Sequence, residues 1–156
     1  MTYEELLIKA DSENLIVKEL ALLRNDGRIY NNRIAIRRSI PTLKEKSCVL
    51  VEELWHYYTG VGCILEQNNI NNIKQERYGR IWAYNHQIGL IGILQSYLAN
   101  CRTLYDMAEY LEVTEEFLTD ALEYYKNKYG TFAVLDNYVI YFTPLIGVFE
   151  KYQDNV

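Results

Sequence analysis

The fold of this 156-residue chain is decided by one stretch, Leu50-Val51-Glu52-Glu53-Leu54-Trp55-His56-Tyr57. Upstream of it lies a capping-box pattern, in which a threonine hydroxyl and a glutamate carboxylate satisfy the free amides of a new helix, at Thr42-Leu43-Lys44-Glu45. Gly60 and Gly62 follow the stretch and favour the end of a helix. We therefore predict a helix that begins after Thr42 and runs to about Thr59.

The pattern E-E-x-x-H in this helix differs by one residue from H-E-x-x-H, the zinc-binding motif of zincin peptidases. In that motif two residues one helical turn apart bind the metal, and the glutamate between them acts on the metal-bound water. The three positions hold Glu52, Glu53 and His56 here. Residues four apart share a helix face, so Glu52 and His56 project together and Glu53 reaches the rim. Spacing alone leaves another interpretation open, in which both glutamates are solvated and His56 packs at the helix end.

A third metal ligand would come from a later segment, and Glu76 is the natural candidate. It lies near the start of a helical pattern that covers residues 73 to 99. His86, the only other histidine, lies ten residues further along, about 15 Å away on a continuous helix. Because His86 cannot share an ion with Glu76, we interpret it as structural or on the surface.

The segments before this helix predict a short helix and a small sheet. We predict the helix at residues 2 to 12 and strands at 15 to 17, 28 to 30 and 33 to 37. The last two alternate polar with apolar residues, which is typical of half-buried antiparallel strands, and turn signals bound them at Asn25-Asp26-Gly27 and Asn31-Asn32. A polar loop rich in asparagine, at Asn68, Asn69, Asn71 and Asn72, precedes the helix of residues 73 to 99.

The long helix and the C-terminal third complete an α+β fold. Three glycines in the long helix are expected to permit close packing: Gly79, Gly89 and Gly92. Residues 103 to 127 predict two short helices joined around Glu112-Val113-Thr114, and residues 131 to 150 a hairpin that turns at Asp136-Asn137. We predict one domain over residues 1–156, with a core at 1–100, a helix-turn-helix-like pair at 101–130 and the C-terminal hairpin at 131–150.

Composition narrows the class of protein. The chain is 49% hydrophobic and 24% charged, which suits one globular core. Its net charge of −5 argues against unspecific nucleic-acid binding. The start has acidic residues where a signal peptide has basic ones, and no apolar run reaches membrane-spanning length, so we expect a soluble, cytoplasmic protein. The three cysteines lack metal-site spacing and suit reduced thiols: Cys48, Cys63 and Cys101.

Two motifs in order resemble the ImmA/IrrE family of small bacterial and phage metallopeptidases. In that family H-E-L-G-H is followed, after a loop, by a helix with E-x-x-A-x-x-F-A. This chain has Glu52-Glu53-Leu54-Trp55-His56 and then Glu76-Arg77-Tyr78-Gly79-Arg80-Ile81-Trp82-Ala83. The resemblance covers about residues 3 to 125 and implies a zincin-like core, a small antiparallel sheet packed on the motif-bearing helices.

By this resemblance Glu53 is the general base, and His56 and Glu76 are metal ligands. Glu52 replaces the first histidine and still offers a ligand atom, so zinc is the expected cofactor. With two carboxylates in the set, manganese or ferrous iron becomes more competitive. The family cleaves cytoplasmic DNA-binding repressors, often of phages or mobile elements, so a protein substrate of this kind is implied. The alternative is a non-catalytic module of the same fold that recognises a repressor or host protein.

Two further positions carry open interpretations. Trp55 stands where the family usually has glycine, and it either walls the cleft or is a core aromatic. The helix after Thr114 resembles the second helix of a helix-turn-helix, yet it carries Glu115, Glu116, Asp120 and Glu123, which phosphates would repel. We therefore favour a structural or partner-docking helix pair over direct DNA binding. The sequence leaves the oligomeric state unknown.

Overall fold

A computed structural model describes the backbone of residues 1–59 and 69–151 and the side chains of residues 1–59 and 74–151. The helices are α1 (Tyr3–Ser12), α2 (Leu43–Thr59), α3 (Asn69–Gln87), α4 (Gly89–Leu98), α5 (Leu104–Leu111) and α6 (Glu115–Tyr129). The strands are β1 (Ile16–Leu20), β2 (Gly27–Tyr30), β3 (Arg33–Arg37), β4 (Phe132–Leu135), β5 (Tyr138–Tyr141) and β6 (Gly147–Glu150). Helices and two three-stranded sheets confirm the predicted α+β class. Within these ranges, no helix combines the length and apolar character needed to cross a membrane.

The first sheet has the strand order β1-β3-β2 and is mixed. β2 and β3 pair antiparallel, as predicted. Asn31, in the turn between them, has a φ of 54°, which lies in the left-handed region that turns use. β1 pairs parallel with β3 on its other side. The chain reverses direction after β1 and again after β2, so β1 and β3 point the same way. The prediction of a wholly antiparallel sheet is therefore wrong, because alternating polarity identifies the buried face of a strand and not its neighbour.

The core under this sheet fixes the position of α2. Ile34 and Ile36 of β3 are buried in one cluster with Leu6 of α1 and with Leu50 and Leu54 of α2. The hydroxyl of Thr42 accepts the amide N–H of Glu45 at 3.2 Å, which is one of the two hydrogen bonds of the predicted capping box. α2 is described as far as Thr59, and its predicted end near Gly60 and Gly62 lies outside the described residues. The cap at Thr42 and the buried apolar residues together position α2 against the sheet and α1.

The helix predicted for residues 73 to 99 is two helices, α3 and α4. Gly89 adopts a φ of +60°, and a side chain added there meets nothing within 4 Å. The expectation that Gly89 permits close packing is therefore wrong, and its role is to break the helix in a conformation that glycine tolerates best. Gly92 does pack closely, since an added Cβ would lie 3.0 Å from Leu111 Cδ2. Residues 69–72, which were predicted to precede the helix as a polar loop, are helical and belong to α3.

The C-terminal part contains the predicted helix pair and one strand more than predicted. Thr114 caps α6, since its hydroxyl accepts the amide N–H of Phe117 at 3.1 Å. β4 and β5 form the predicted hairpin, with Asp136 at a φ of 53° in the turn. β6 then adds antiparallel to β5, so the predicted hairpin is a three-stranded sheet. Pro144 interrupts the apolar run after β5, and the run therefore divides into two strands.

Candidate functional site

The motif-bearing helix presents two different faces. Leu50, Val51, Leu54 and Trp55 are buried in the core, while the three motif residues between them are half-buried: Glu52, Glu53 and His56. α2 contacts both β2, an edge strand of the first sheet, and α3, the helix that carries Glu76.

Glu53 is seated against the backbone of β2. A Cβ added to Gly27 would lie 2.5 Å from Glu53 Oε1 and 2.7 Å from Val49 Cγ1, so the carboxyl group occupies space that any other residue at position 27 would fill. Burial, with a smaller contribution from the charges of Glu52 and Glu76, raises the pKa of Glu53 to about 7. A carboxyl group with this pKa can both take up and release a proton near neutral pH.

Glu52 faces a small polar cavity between α2, α3 and α6. The cavity has a volume of about 190 Å³, and its lining includes Arg80, Tyr84 and Asp120. Burial raises the pKa of Glu52 to about 7; the positive charge of Arg80 opposes this rise, and the charges of Glu76 and Asp26 add to it.

His56 carries a buried ring nitrogen whose hydrogen-bonding capacity no described residue satisfies. Its Nδ1 is buried and has no hydrogen-bond partner in the described part of the chain. The imidazole meets the edge of Trp55, with ring centroids 4.8 Å apart. Burial lowers the pKa of His56, against the opposing effect of the Glu76 charge, which favours the neutral ring that a metal ligand requires.

The charge of Glu76 affects the other three predicted site residues. Its side chain is exposed on α3, and its negative charge acts on Glu52, Glu53 and His56. The four predicted site residues therefore lie in one electrostatic neighbourhood where α2 packs on α3. Donor chemistry in this neighbourhood, one imidazole and several carboxylates, suits a divalent cation.

In the described structure these residues are not close enough together to coordinate one metal ion. Among the described side chains, those of residues 1–59 and 74–151, no three His, Cys, Asp or Glu residues are grouped in a way that could hold a metal ion. Zinc ligands lie about 2.0–2.3 Å from the ion, so Glu52, His56 and Glu76 would have to move towards a common point to hold one.

Trp55 is a core aromatic, as one of the two interpretations predicted. It is only 6% exposed. A Cβ added to Gly79 of α3 would lie 2.9 Å from Trp55 Cε3, so the indole packs flat under a position that must be small. The expected role of Gly79 in close packing is confirmed. Trp55 thus packs α2 against α3, the two helices that carry the motif residues.

His86 belongs to a separate cluster. Its Nε2 lies 3.1 Å from Lys9 Nζ, and its ring stacks on Trp82 with centroids 4.5 Å apart. Burial and then the charge of Lys9 lower its pKa. These contacts give His86 a structural environment, in agreement with its interpretation from the sequence.

Sequence reasoning missed two residues of the site. Arg80 is exposed on α3 and lines the cavity that Glu52 faces, and it forms no ion pair or hydrogen bond with the described residues. It follows Glu76 by four residues, a spacing that places both on one helix face and could have identified it. Gly27 was interpreted only as part of a turn, and no local pattern reveals that Glu53 packs on it.

The remaining predicted features have simple environments. Cys48 and Cys101 are free thiols, and burial raises the pKa of Cys48 to about 11, which keeps it protonated. Cys63 lies outside the described residues. Glu115 and Glu116 are exposed in the first turn of α6, where a DNA-reading helix would present basic or amide side chains.

Comparisons of this chain with protein-family models, with curated proteins and with solved structures give no match.

Proposed function

We propose that this protein is a metal-dependent peptidase of the ImmA/IrrE type that cleaves a cytoplasmic protein, in particular a DNA-binding repressor of a phage or mobile element. The observation that supports it most is the buried Nδ1 of His56, which has no hydrogen-bond partner among the described residues. The charge of Glu76 acts on His56 and also on Glu52 and Glu53. A buried polar atom without a partner is rare in folded proteins, and in an imidazole it is the atom that binds a metal.

The residues have distinct roles in this proposal. Glu52, His56 and Glu76 would hold zinc or a harder divalent ion such as manganese. When bound, such an ion supplies polarisation of the scissile carbonyl and a water of lowered pKa. Glu53 takes a proton from the attacking water and passes it to the leaving amine, so that the peptide bond is exchanged for a carboxylate and a free amine.

The scaffold keeps the proposed base in place. Gly27 leaves room for the Glu53 carboxyl against the backbone of β2, and Val49 packs beside it. Trp55 packs α2 against α3 at Gly79. The contact at Gly27 restricts the Glu53 side chain and the contact at Gly79 restricts the helix that carries it, and a proton transfer of defined geometry requires such restriction.

The test is a comparison of new protein N-termini in a bacterial lysate supplied with zinc. We expect the wild-type chain to generate specific new N-termini that are absent with Glu53→Gln and absent when a chelator is present. Glu123→Gln, which alters an exposed carboxyl on α6, is the matched control and should behave as wild type. New N-termini that persist with Glu53→Gln would remove the proposed base, and their absence with the wild-type chain would contradict peptidase activity.

A second function, binding without cleavage, is favoured by one observation: no three metal-binding side chains are grouped in the described structure. Under this function the same surface recognises a repressor or host protein. It predicts that wild type and Glu53→Gln retain the same partner with equal affinity and leave it intact.

A further inference from the structure

The outer face of the C-terminal sheet carries no charged residue. Side chains alternate between the two faces of a strand, and the buried residues Ala133, Ile140 and Val148 lie opposite one another on the inner face of β4, β5 and β6. The outer face is therefore formed by their neighbours on the same strands: Phe132, Val134, Val139, Tyr141, Gly147 and Phe149. An antiparallel sheet whose second face is solvated has polar residues there, so this face has the composition of a covered one.

Much of this outer face is nevertheless exposed in the single chain. Phe132 is 49% exposed, Val134 50% and Phe149 62%, and Leu145, just after β5, is 80% exposed. The ring of Tyr141 contacts Phe132 and Phe149, with centroids 5.6 and 5.4 Å apart, so one aromatic strip crosses all three strands. At about 150–200 Å² for a whole side chain, the four exposed residues leave about 400 Å² of apolar surface in contact with solvent.

Two copies of this face together supply the area that a specific dimer needs. The four exposed side chains of each copy would bury about 800 Å² in total, and the half-buried Val139 and Tyr141 beside them bring this to about 1,000 Å². Specific interfaces begin at about this size.

The shape of the surface is also self-complementary. A groove with a volume of about 460 Å³ adjoins the face, and its lining includes Tyr141, Pro144, Leu145 and Phe149. Leu145 is thus an exposed apolar side chain at the rim of an apolar groove. A two-fold symmetric pair places the same patch of both copies in contact, so a projecting side chain beside a recess suits it.

Charge favours a second copy over other partners. A chain of net charge −5 is repelled by another copy unless the surfaces in contact are uncharged, and this face meets that condition. Anionic membranes and nucleic acids are bound through lysine and arginine. Neither residue type occurs on the outer face or in the described lining of the groove.

We propose that two copies of this chain form a two-fold symmetric dimer through the outer faces of β4, β5 and β6. The two sheets stack face to face, about 10 Å apart, and Leu145 of each copy enters the groove of the other. The motif residues lie on α2 and α3, so this proposal does not rest on the proposed peptidase activity.

The test is sedimentation velocity of the full-length chain at concentrations from about 1 to about 500 µM. We expect a reversible dimer with a dissociation constant of about 10 µM, because the interface lies at the lower end of the size range. Leu145→Asp places a carboxylate in the groove of the other copy and should weaken dimerisation at least about tenfold. Leu23→Asp is the matched control, since Leu23 is 95% exposed between β1 and β2, and it should dimerise as wild type.

Either of two results would overturn the proposal: a chain that stays monomeric up to about 500 µM, or a dimer that Leu145→Asp leaves as strong as the wild-type dimer. In the first case, binding to vesicles of phosphatidylcholine and phosphatidylserine would assign the face to a membrane instead. The methyl resonances of Val134, Val139 and Leu145 in the wild-type chain should shift with protein concentration, while those of Leu23 should not. This second measurement decides the question even if Leu145→Asp does not fold, because constant resonances at all three residues would contradict the dimer.

Discussion

Replacing Glu53 with glutamine should stabilise the metal-free protein at alkaline pH far more than at acidic pH. Burial, together with the charges of Glu52 and Glu76, raises the pKa of Glu53 from 4.5 to about 7. A raised carboxyl pKa contributes stability that is fully present below the unfolded-state value and is lost as the pH rises through the folded-state value. The window for Glu53 therefore runs from 4.5 to about 7.

The size of the effect follows from the shift. One pKa unit corresponds to about 1.4 kcal/mol, so a shift from 4.5 to about 7 corresponds to about 3 kcal/mol across the whole window. We expect the free energy of unfolding of Glu53→Gln, relative to wild type, to rise by about 2–3 kcal/mol between about pH 5 and about pH 8. Glu52 contributes to the shift of Glu53, so the effects of the two single variants will not add.

The assay is urea denaturation followed by tryptophan fluorescence, in the presence of a chelator, across this pH range. Glu123→Gln, an exposed carboxyl-to-amide change on α6, is the matched control, and its difference from wild type should vary by less than about 0.5 kcal/mol. If the free energy of unfolding of Glu53→Gln relative to wild type varies as little with pH, the Glu53 carboxyl is not desolvated in the folded chain. The inference that it is buried against Gly27 would then be wrong.

Three substitutions test the packing around the site and the helix ends. Gly79→Ala places a Cβ 2.9 Å from the buried ring of Trp55. Such overpacking destabilises by about 1–3 kcal/mol, while the better helix propensity of alanine stabilises by at most about 1 kcal/mol. We therefore expect urea denaturation to show a net loss of stability. Thr114→Ala removes the acceptor of the Phe117 amide and should lower the free energy of unfolding by about 1 kcal/mol, whereas an unchanged value would mean that water caps α6 equally well. Gly89→Ala has room for its methyl group but must adopt a φ of +60°, so thermal denaturation should show a loss of about 1–2 kcal/mol, and a gain would contradict the assigned role as helix breaker.

Features encoded by neighbouring residues could be predicted from the sequence. The hydroxyl cap at Thr42 depends on the chemistry of a few adjacent positions, and it has the predicted place. The strands of the β2–β3 hairpin were predicted for the same reason, because the turn at Asn31 and the alternation of β3 are local.

Features that depend on contacts between distant residues, or on a single backbone angle, could not be predicted from the sequence. The parallel pairing of β1 follows from the path of the chain between strands, which alternation does not encode. Gly79, Gly89 and Gly92 look alike in the sequence, yet Gly79 and Gly92 face neighbouring side chains and Gly89 adopts a positive φ.

At the candidate site, too, some features have a local sequence signal and others arise only from packing between elements. Helical spacing places Glu52 and His56 on one face of α2, and the resemblance to a peptidase family adds Glu76. The seat of Glu53 on Gly27 and the unpartnered Nδ1 of His56 arise from packing between elements, so the sequence contains no local signal for them.

The most direct test of the proposed metal centre is a measurement of zinc binding by competition with a chromophoric chelator at neutral pH. The proposal predicts one zinc ion per wild-type chain, at least about tenfold weaker binding by His56→Ala, and unchanged binding by the control His86→Ala, whose histidine lies in the separate cluster with Trp82. A wild-type chain that binds no zinc and no manganese, or binding that His56→Ala leaves unchanged, would contradict the metal centre and favour a protein that binds without cleaving.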